Sequence, residues 1–409
     1  MSKINYFILL SLLIGISFHA YSQRYITITG KVVDADTGEP IVFASIGIKD
    51  KSIGTITNAI GEFDFHIPSE YSQGIFVINM LGYESFYLSI EEIISKNITE
   101  FSLIKSTQLM EEVIIKDSLS GGDVLRIALQ KIEDNYPVQP FMMDGFYRDL
   151  KRVGGTYIAL LEAAVKIYDR DYYVPKNPFR LKERVALVEV RKSLGYENKF
   201  TTFFDQTNLL EDLLLHNNIK YRQFPSISSS FFSHLTRKKI DIYNGKKVFV
   251  LAINRDIKME LIVDANTFAI IRLEYESGAQ PDIILRKDGL ISRYSNLKKI
   301  IEFKEYAGRL YLNHMDLISN IDWYDEQTGE IKFETSLHQQ LMINKVFVQT
   351  TQKIGTTEKM KRFGLQHQKR KYNKEFWDNY NLIKETPLDK KIVEDLEKDL
   401  SLEKQFADN

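Results

Sequence analysis

Apolar and polar residues follow three different rhythms along the chain. Between Tyr25 and Leu88, β-branched and aromatic residues come in short runs, broken by turn residues about every 8–12 positions. Tyr25–Asp34 is the first such run. The turn cluster Asp36-Thr37-Gly38-Glu39-Pro40 separates it from Ile41–Ile48. Gly54–Asn58 leads into Ala59–Phe65, where Gly61 allows a positive φ and Phe63 and Phe65 share one face. Gly74–Ile78 and Tyr83–Leu88 complete a set that predicts a small antiparallel sandwich over 24–104.

The second rhythm is helical. Ser118–Gly122 predicts a linker, and Asp123 predicts an N-cap for a helix to Asn135 with the stripe Leu125, Ala128, Leu129 and Ile132. Asp205–Leu215 predicts a second helix whose Leu209, Leu210, Leu213 and Leu214 face a core; a lipid- or partner-facing surface is the alternative. Ser226–Ser230 predicts a polar loop, with no nucleophile motif around its serines.

The third rhythm is a meander of hairpins. Asn244-Gly245 is a two-residue hairpin signal between Lys239–Tyr243 and Lys247–Ile253. Met259–Val263, Phe268–Tyr275, Ile300–Tyr306, Arg309–Ile318, Ile331–Phe333 and Leu341–Val348 follow, with turns at 264–267, 307–308 and 325–329. The tail adds a basic stretch (Lys359, Lys361, Arg362, Lys369, Arg370, Lys371, Lys374). It then adds a helix starting at Thr386-Pro387, with Leu388, Ile392, Leu396 and Leu400 on one face. Phe376, Trp377 and Tyr380 predict an anchor that docks the tail on the body, sugar stacking by Trp377 being the alternative.

The fold class expected is therefore mainly β: a sandwich at 24–104, then an α+β domain with a large curved antiparallel sheet, then a helical tail. The segments are 105–122 (strand and linker), 123–235 (mixed helical and β, one unit with the sheet), 236–350 (antiparallel sheet) and 351–409 (basic stretch and C-terminal helix). Residues 1–22 predict a secretory signal: Lys3, an apolar Tyr6–Phe18, then Ala20-Tyr21-Ser22 with cleavage between Ser22 and Gln23. An apolar stretch that short does not span a bilayer, which takes about 20 residues.

Composition then removes whole classes of chemistry. Cysteine is absent, which excludes disulfides, thiolate nucleophiles, Cys-ligated metals and a lipid-modified N-terminal Cys. The net charge of −1 lacks the basic excess that binds phosphate backbones, so no nucleic-acid partner is expected. None of His19, His66, His216, His234, His314, His338 and His367 opens a zinc-peptidase motif, and no nucleotide loop or nucleophile elbow occurs. No catalytic, cofactor-binding or metal residue is therefore assigned, and no cofactor is expected. Asp34, Asp36, Asp50, Asn58 and Asp64 are the calcium alternative, but turn Asp and Asn ordinarily cap and bend backbone.

The succession Gly30-Lys31-Val32-Val33-Asp34, Thr37-Gly38-Glu39-Pro40-Ile41, Ala44-Ser45-Ile46, Gly54-Thr55-Ile56-Thr57-Asn58, Gly61-Glu62-Phe63 and Gly82-Tyr83 closely resembles the carboxypeptidase-regulatory-like domain. That resemblance implies a transthyretin-like seven-stranded sandwich, a non-catalytic module that often opens exported, outer-membrane-associated proteins of Bacteroidota-like bacteria. Gln108–Lys116 resembles the strand that follows this domain in TonB-dependent receptors, but the remaining residues lack the rhythm of a plug and barrel. Asn135-Tyr136-Pro137, Gly145-Phe146-Tyr147-Arg148 and Phe376-Trp377-Asp378-Asn379-Tyr380-Asn381 resemble exported proteins with the same module. The hairpin rhythm of 248–312 looks like the curved sheets of periplasmic lipoprotein carriers.

The function expected is a non-catalytic envelope protein in the periplasm or at the outer membrane, binding an envelope protein, a peptide or an apolar molecule. A lipid carrier and a motif-less glycan or peptide hydrolase are the alternatives. The carrier requires a continuous apolar groove, and the hydrolase requires carboxylates or a histidine converging in a pocket.

Overall fold

The computed structural model describes residues 25–106, 119–204, 209–225, 230–360, 364–368, 370–384 and 390–408. The proposed signal, the Ser22–Gln23 junction, Gln108–Lys116 and the Thr386-Pro387 helix start lie outside them.

Strands β1 (Tyr25–Asp34), β4 (Glu62–Pro68) and β7 (Glu100–Leu103) form one sheet of a sandwich in the order β4-β1-β7. Strands β2 (Ser45–Ile48), β3 (Gly54–Ile56), β5 (Ile75–Asn79) and β6 (Phe86–Ser89) form the other, in the order β3-β2-β5-β6. Alternation in β4 sends Phe63, Phe65 and Ile67 into the core, against Phe76 and Phe101. The sandwich is not wholly antiparallel: β1 and β7 run parallel. The long connection that this parallel pairing requires runs through β2–β6 and ends in helix α1 (Ile90–Ser95), capped by Ser89, which leads from β6 to β7.

The second sheet has 11 strands. They are β8 (Phe141–Val153), β9 (Thr156–Asp169), β10 (Arg184–Lys192), β11 (Thr236–Tyr243), β12 (Lys246–Asn254), β13 (Ile257–Asp264), β14 (Ile270–Ser277), β15 (Leu285–Lys287), β16 (Leu290–Tyr306), β17 (Arg309–Asp325) and β18 (Ile331–Phe347). The order is β10-β9-β8-β18-β17-β16-β14-β13-β12-β11, with β15 paired to β16. All its pairs are antiparallel. Asn244 and Gly245 take φ of 49° and 70°, the left-handed turn that the β11–β12 hairpin signal demands. Two strands are longer than their apolar runs. β16 begins at Leu290, and Ile331–Phe333 and Leu341–Val348 are ends of one strand, because the polar stretch between them carries buried partners rather than a turn.

One face of this sheet is covered by helices α2 (Gly121–Gln130), α3 (Ile132–Asn135), α4 (Leu209–Leu215), α5 (Asn218–Tyr221) and α6 (Ser230–His234). Val124, Leu125, Leu210, Leu213, Ile219 and Phe232 join Tyr147, Val165, Leu251, Leu261, Ile301 and Met315 in one core. The Leu-rich α4 is thus core-facing. The cap of α2 differs from the expectation: Ser120 is the N-cap and Asp123 is its capping-box partner. Gly121 and Gly122 are not linker but the first helical turn, pressed against the carbonyls of Leu235 and Phe232. A Cβ at Gly122 would overlap the Phe232 carbonyl, so Gly122→Ala is expected to cost about 1–3 kcal/mol, read as a lowered urea midpoint. An unchanged midpoint would show that α2 is not held against α6 in this way.

The opposite face carries the sandwich and the tail. Short helices α7 (Lys374–Asp378), α8 (Lys390–Leu396) and α9 (Leu402–Asp408) lie along β8–β10. The expected single face from Leu388 to Leu400 is broken between α8 and α9, and Gln405 bonds the carbonyls of Leu396 and Leu400 at the break.

Candidate functional site

Strand β2 alternates strictly: Ile46 and Ile48 enter the sandwich core, so Ser45 and Gly47 face outward. Ser45 pairs with Asn79 across β5, and Gly47 pairs with Gly54 across β3. This outer face lies against the large sheet. The backbone of Ser52 and Val346 bonds between the two (2.9 Å), Ser52 Oγ donates to the Val346 carbonyl (2.7 Å), and Gly82 N–H donates to the Ile242 carbonyl (3.2 Å). Phe43, at φ 57°, sets its ring 5.0 Å from that of His314 on β17.

The paired glycines leave a slot, and Lys304 of β16 fills it. A Cβ at Gly47 would stand 2.8 Å from the Lys304 Nζ. Beside it a cavity of about 140 Å³ runs to the hairpin ends, lined by Ser45, Asn79, Asn244, Thr267, Lys304 and Leu310 among others. Three polar groups on its wall lack partners among the described residues. Ser45 (2% exposed) and Asn79 (7% exposed) leave Oγ and Oδ1 without a hydrogen bond. The Lys304 ammonium has no hydrogen-bond or ion-pair partner; its nearest aromatic contact is Tyr306, at 5.8 Å. Burial pushes Lys304 down to about 8, and the charge of Glu302 offsets this only in part. Glu302 is itself held by Arg272 (2.5 Å) and Asn313 (3.3 Å). The other charged groups at the cavity have partners as well: Lys246 pairs with Glu305 (2.5 Å), and Asp264 accepts from the N–H groups of Asn266 and Thr267 (2.8 Å each).

A second feature holds this junction together. The register places Asp316, Gln340, Arg148, Glu162 and Arg191 in one row across β17, β18, β8, β9 and β10. Glu162 is fully buried between Arg148 and Arg191 at 2.6 Å each, and these two guanidinium groups hold its carboxyl below the usual range against the opposing effect of burial. Arg148 also donates to the Ile383 carbonyl (3.1 Å), and Arg191 lies over the Trp377 ring (4.4 Å). Trp377 is buried with Phe146 and Ile56, and Tyr380 donates to the Gly145 carbonyl (3.0 Å), so the aromatic anchor docks as expected. The tail then reaches the sandwich: Asn381 bonds both backbone groups of His66 (2.7 and 3.1 Å), and Lys384 pairs with Asp64 (3.1 Å).

A family model described as the CarboxypepD_reg-like domain matches residues 28–115. The N-terminal unit is a CarboxypepD_reg-like domain. No curated protein matches the chain. Among solved structures, a LolA superfamily protein from Nitrosomonas europaea is 12% identical, with 60% of this chain and 99% of that one covered, at a TM-score of 0.20. A domain assigned to outer-membrane lipoprotein sorting, from Vibrio parahaemolyticus, is 13% identical, with 56% and 93% covered, at 0.22. MucB in complex with MucA(peri) is 10% identical, with 56% and 100% covered, at 0.18.

Within the CarboxypepD_reg-like domain, three of the calcium candidates, Asp34, Asn58 and Asp64, act as turn and junction groups. Asp34 accepts from Asp36 N–H, Thr37 N–H and Tyr83 OH and pairs with Lys105. Asn58 accepts from Ile60 and Glu62 N–H and donates to the Lys384 carbonyl. The face beneath the domain does bring titratable groups together, in Glu302, His314, Asp316 and His338. His338 Nε2 bonds Asp316 (2.8 Å), which also accepts from Gln340 (2.9 Å) and is held at about 2 despite its burial. On the helix-bearing face, Lys220 is buried between Asp169 and Glu183, and burial raises Asp169 to about 6.

Sequence reading missed Ser45, Asn79 and Lys304. Only the glycine pair Gly47/Gly54 in otherwise β-branched runs signalled a close approach there.

Buried histidines make the fold acid-sensitive. Burial lowers both His216 and His314 to about 4. The unfolded chain takes up these protons from about pH 6.5 downward and the folded one only near pH 4, so the stability they confer is complete above 6.5 and lost between 6.5 and 4. Asp169 works in the opposite sense below pH 6. Urea midpoints are expected to fall by the equivalent of about 2–4 kcal/mol from pH 7.5 to 5, with a smaller fall in His314→Leu. Equal midpoints at the two pH values would contradict the buried, neutral state of these rings.

Proposed function

We propose that the chain is an exported, non-catalytic binding protein of the cell envelope whose ligand site is the polar cavity between the CarboxypepD_reg-like domain and the large sheet. The observation that carries this reading is the set of three unpartnered polar groups on one cavity wall. Buried polar groups ordinarily find partners; here buried Ser45 Oγ and Asn79 Oδ1 and half-buried Lys304 Nζ share one cavity wall, where a single bound molecule supplies partners for all three. The large sheet offers an apolar ligand little room, because its helix-bearing face is packed with the side chains of α2 and α4–α6. The buried carboxylates of Glu302, Asp316 and Glu162 are engaged by Arg272, His338 and the Arg148–Arg191 pair respectively.

The test is to purify the protein from its native cell and identify by mass spectrometry what denaturation releases. A polar compound bound to the wild type and lost in Ser45→Leu, which fills the cavity, is expected. An acyl lipid, or a compound retained equally by Ser45→Leu, would contradict the reading. Fractionation of the same cells places the chain inside or outside the inner membrane.

A further inference from the structure

The charges around the cavity do not balance at its wall. Lys246 and Glu305 neutralise each other, Asp264 caps its own turn, and Glu302 is held by Arg272. Among the described residues this leaves Lys304 without an ion-pair partner, half-buried in the glycine slot beside a cavity that opens at the hairpin ends. A partly desolvated ammonium without an ion-pair partner carries a cost, and an arriving anion removes that cost on binding. Ser45 Oγ can donate to such an anion. Asn79 Oδ1 is an acceptor and needs a donor instead. The occupant therefore carries a negative group and a hydrogen-bond donor within a few bonds of each other. Its size is limited: an apolar cavity of about 150 Å³ holds benzene, so the comparable space here admits about six to eight non-hydrogen atoms.

We propose that the junction cavity binds a small carboxylate bearing a hydroxyl or amino group, with its carboxylate on Lys304 Nζ and Ser45 Oγ and its hydroxyl or amine donating to Asn79 Oδ1. This rests on the reading of the junction as the binding site. The depressed Lys304 accords with it, because a bound carboxylate restores the charged ammonium. Asn79 sets the preference for a substituted over a plain acid. The Gly47/Gly54 pair sets the geometry, because side chains there would push the ammonium away from Ser45.

The probes are L-lactate, glycerate, L-alanine and L-serine, with propionate and lactamide as controls, titrated into the full chain by calorimetry up to about 10 mM. At least one substituted acid is expected to bind. Its neutral amide should bind at least about tenfold more weakly, since a charge-assisted bond is lost. The unsubstituted acid should bind about three- to tenfold more weakly, for loss of the bond to Asn79. Lys304→Met should abolish binding while the chain still melts cooperatively, and Lys304→Arg, which keeps the charge, should restore part of it. Equal binding by Lys304→Met, or by lactamide, overturns the proposal. So does the failure of all four acids. If in that case a neutral compound released from the native protein binds and is lost in Ser45→Leu, the ligand class is wrong and the junction site stands. If Ser45→Leu loses nothing, the junction site falls with it.

Discussion

Replacing Lys304 by Met is expected to stabilise the unliganded protein by about 1–3 kcal/mol at pH 7, although it removes the group on which binding depends. The wild-type ammonium is half-buried against the sandwich without an ion-pair partner among the described residues, and Met fills a similar volume without that cost. The pH dependence follows from the direction of the shift. Lys304 titrates near 8 in the fold and near 10.5 when unfolded, so the unfolded chain holds more protons between these values. Stability therefore rises as pH goes from 8 towards 10.5, and the penalty is complete below 8. Lys299, also pushed down to about 8 by burial, contributes in the same direction. Urea unfolding of the wild type should thus show a gain from pH 7 to 9.5, and Lys304→Met should keep only the part due to Lys299. A Lys304→Met protein less stable than the wild type would mean that the ammonium has a stabilising partner in the unliganded state.

Removing Glu162 should have the largest effect on the fold. Its carboxylate holds Arg148 and Arg191 in a fully buried row, and Glu162→Ala leaves two buried cations facing each other. Breaking a buried pair in this way costs about 3–5 kcal/mol. Glu162→Gln should cost less, because an amide oxygen still accepts one bond. The damage should be directional. Arg148 holds the Ile383 carbonyl and Arg191 supports Trp377, so the tail loosens first. Asn381 and Lys384 then lose their hold on His66 and Asp64, and the sandwich loses its clamp. Limited proteolysis should cut Glu162→Ala within 370–384 before the large sheet is lost, and binding at the cavity should weaken with it. Simultaneous loss of all protease resistance would instead make Glu162 a residue of the sheet core with no special tie to the junction.

Much of the fold was legible because its signals are local. Asn244-Gly245 fixes a hairpin within four residues, and the alternation at Phe63, Phe65 and Ile67 fixes a face. The sandwich announced itself through its turns, and the Phe376–Tyr380 anchor through its aromatic density. The polar middle of β18 was not legible as strand, because Gln339 and Gln340 are buried by partners on other strands that the sequence does not display. The site was hidden for the same reason. Ser45, Asn79 and Lys304 are each an ordinary polar position in a strand, and they acquire meaning only when the sandwich docks on the sheet. The same docking explains why Gly121 and Gly122, which resemble a linker, are contact points between packed backbones.

The central claim is that the junction holds a half-buried, unpaired lysine awaiting a counter-ion. The titration of Lys304, followed by NMR of the full chain carrying 13C-labelled lysine and assigned by its absence in Lys304→Met, tests this most directly. The account predicts a free-state pKa near 8 that rises towards the ordinary lysine value when the cavity is saturated with the substituted acid that binds. A Lys304 that titrates near 10.5 in the free protein, or one whose pKa is unmoved by the ligand, would contradict it.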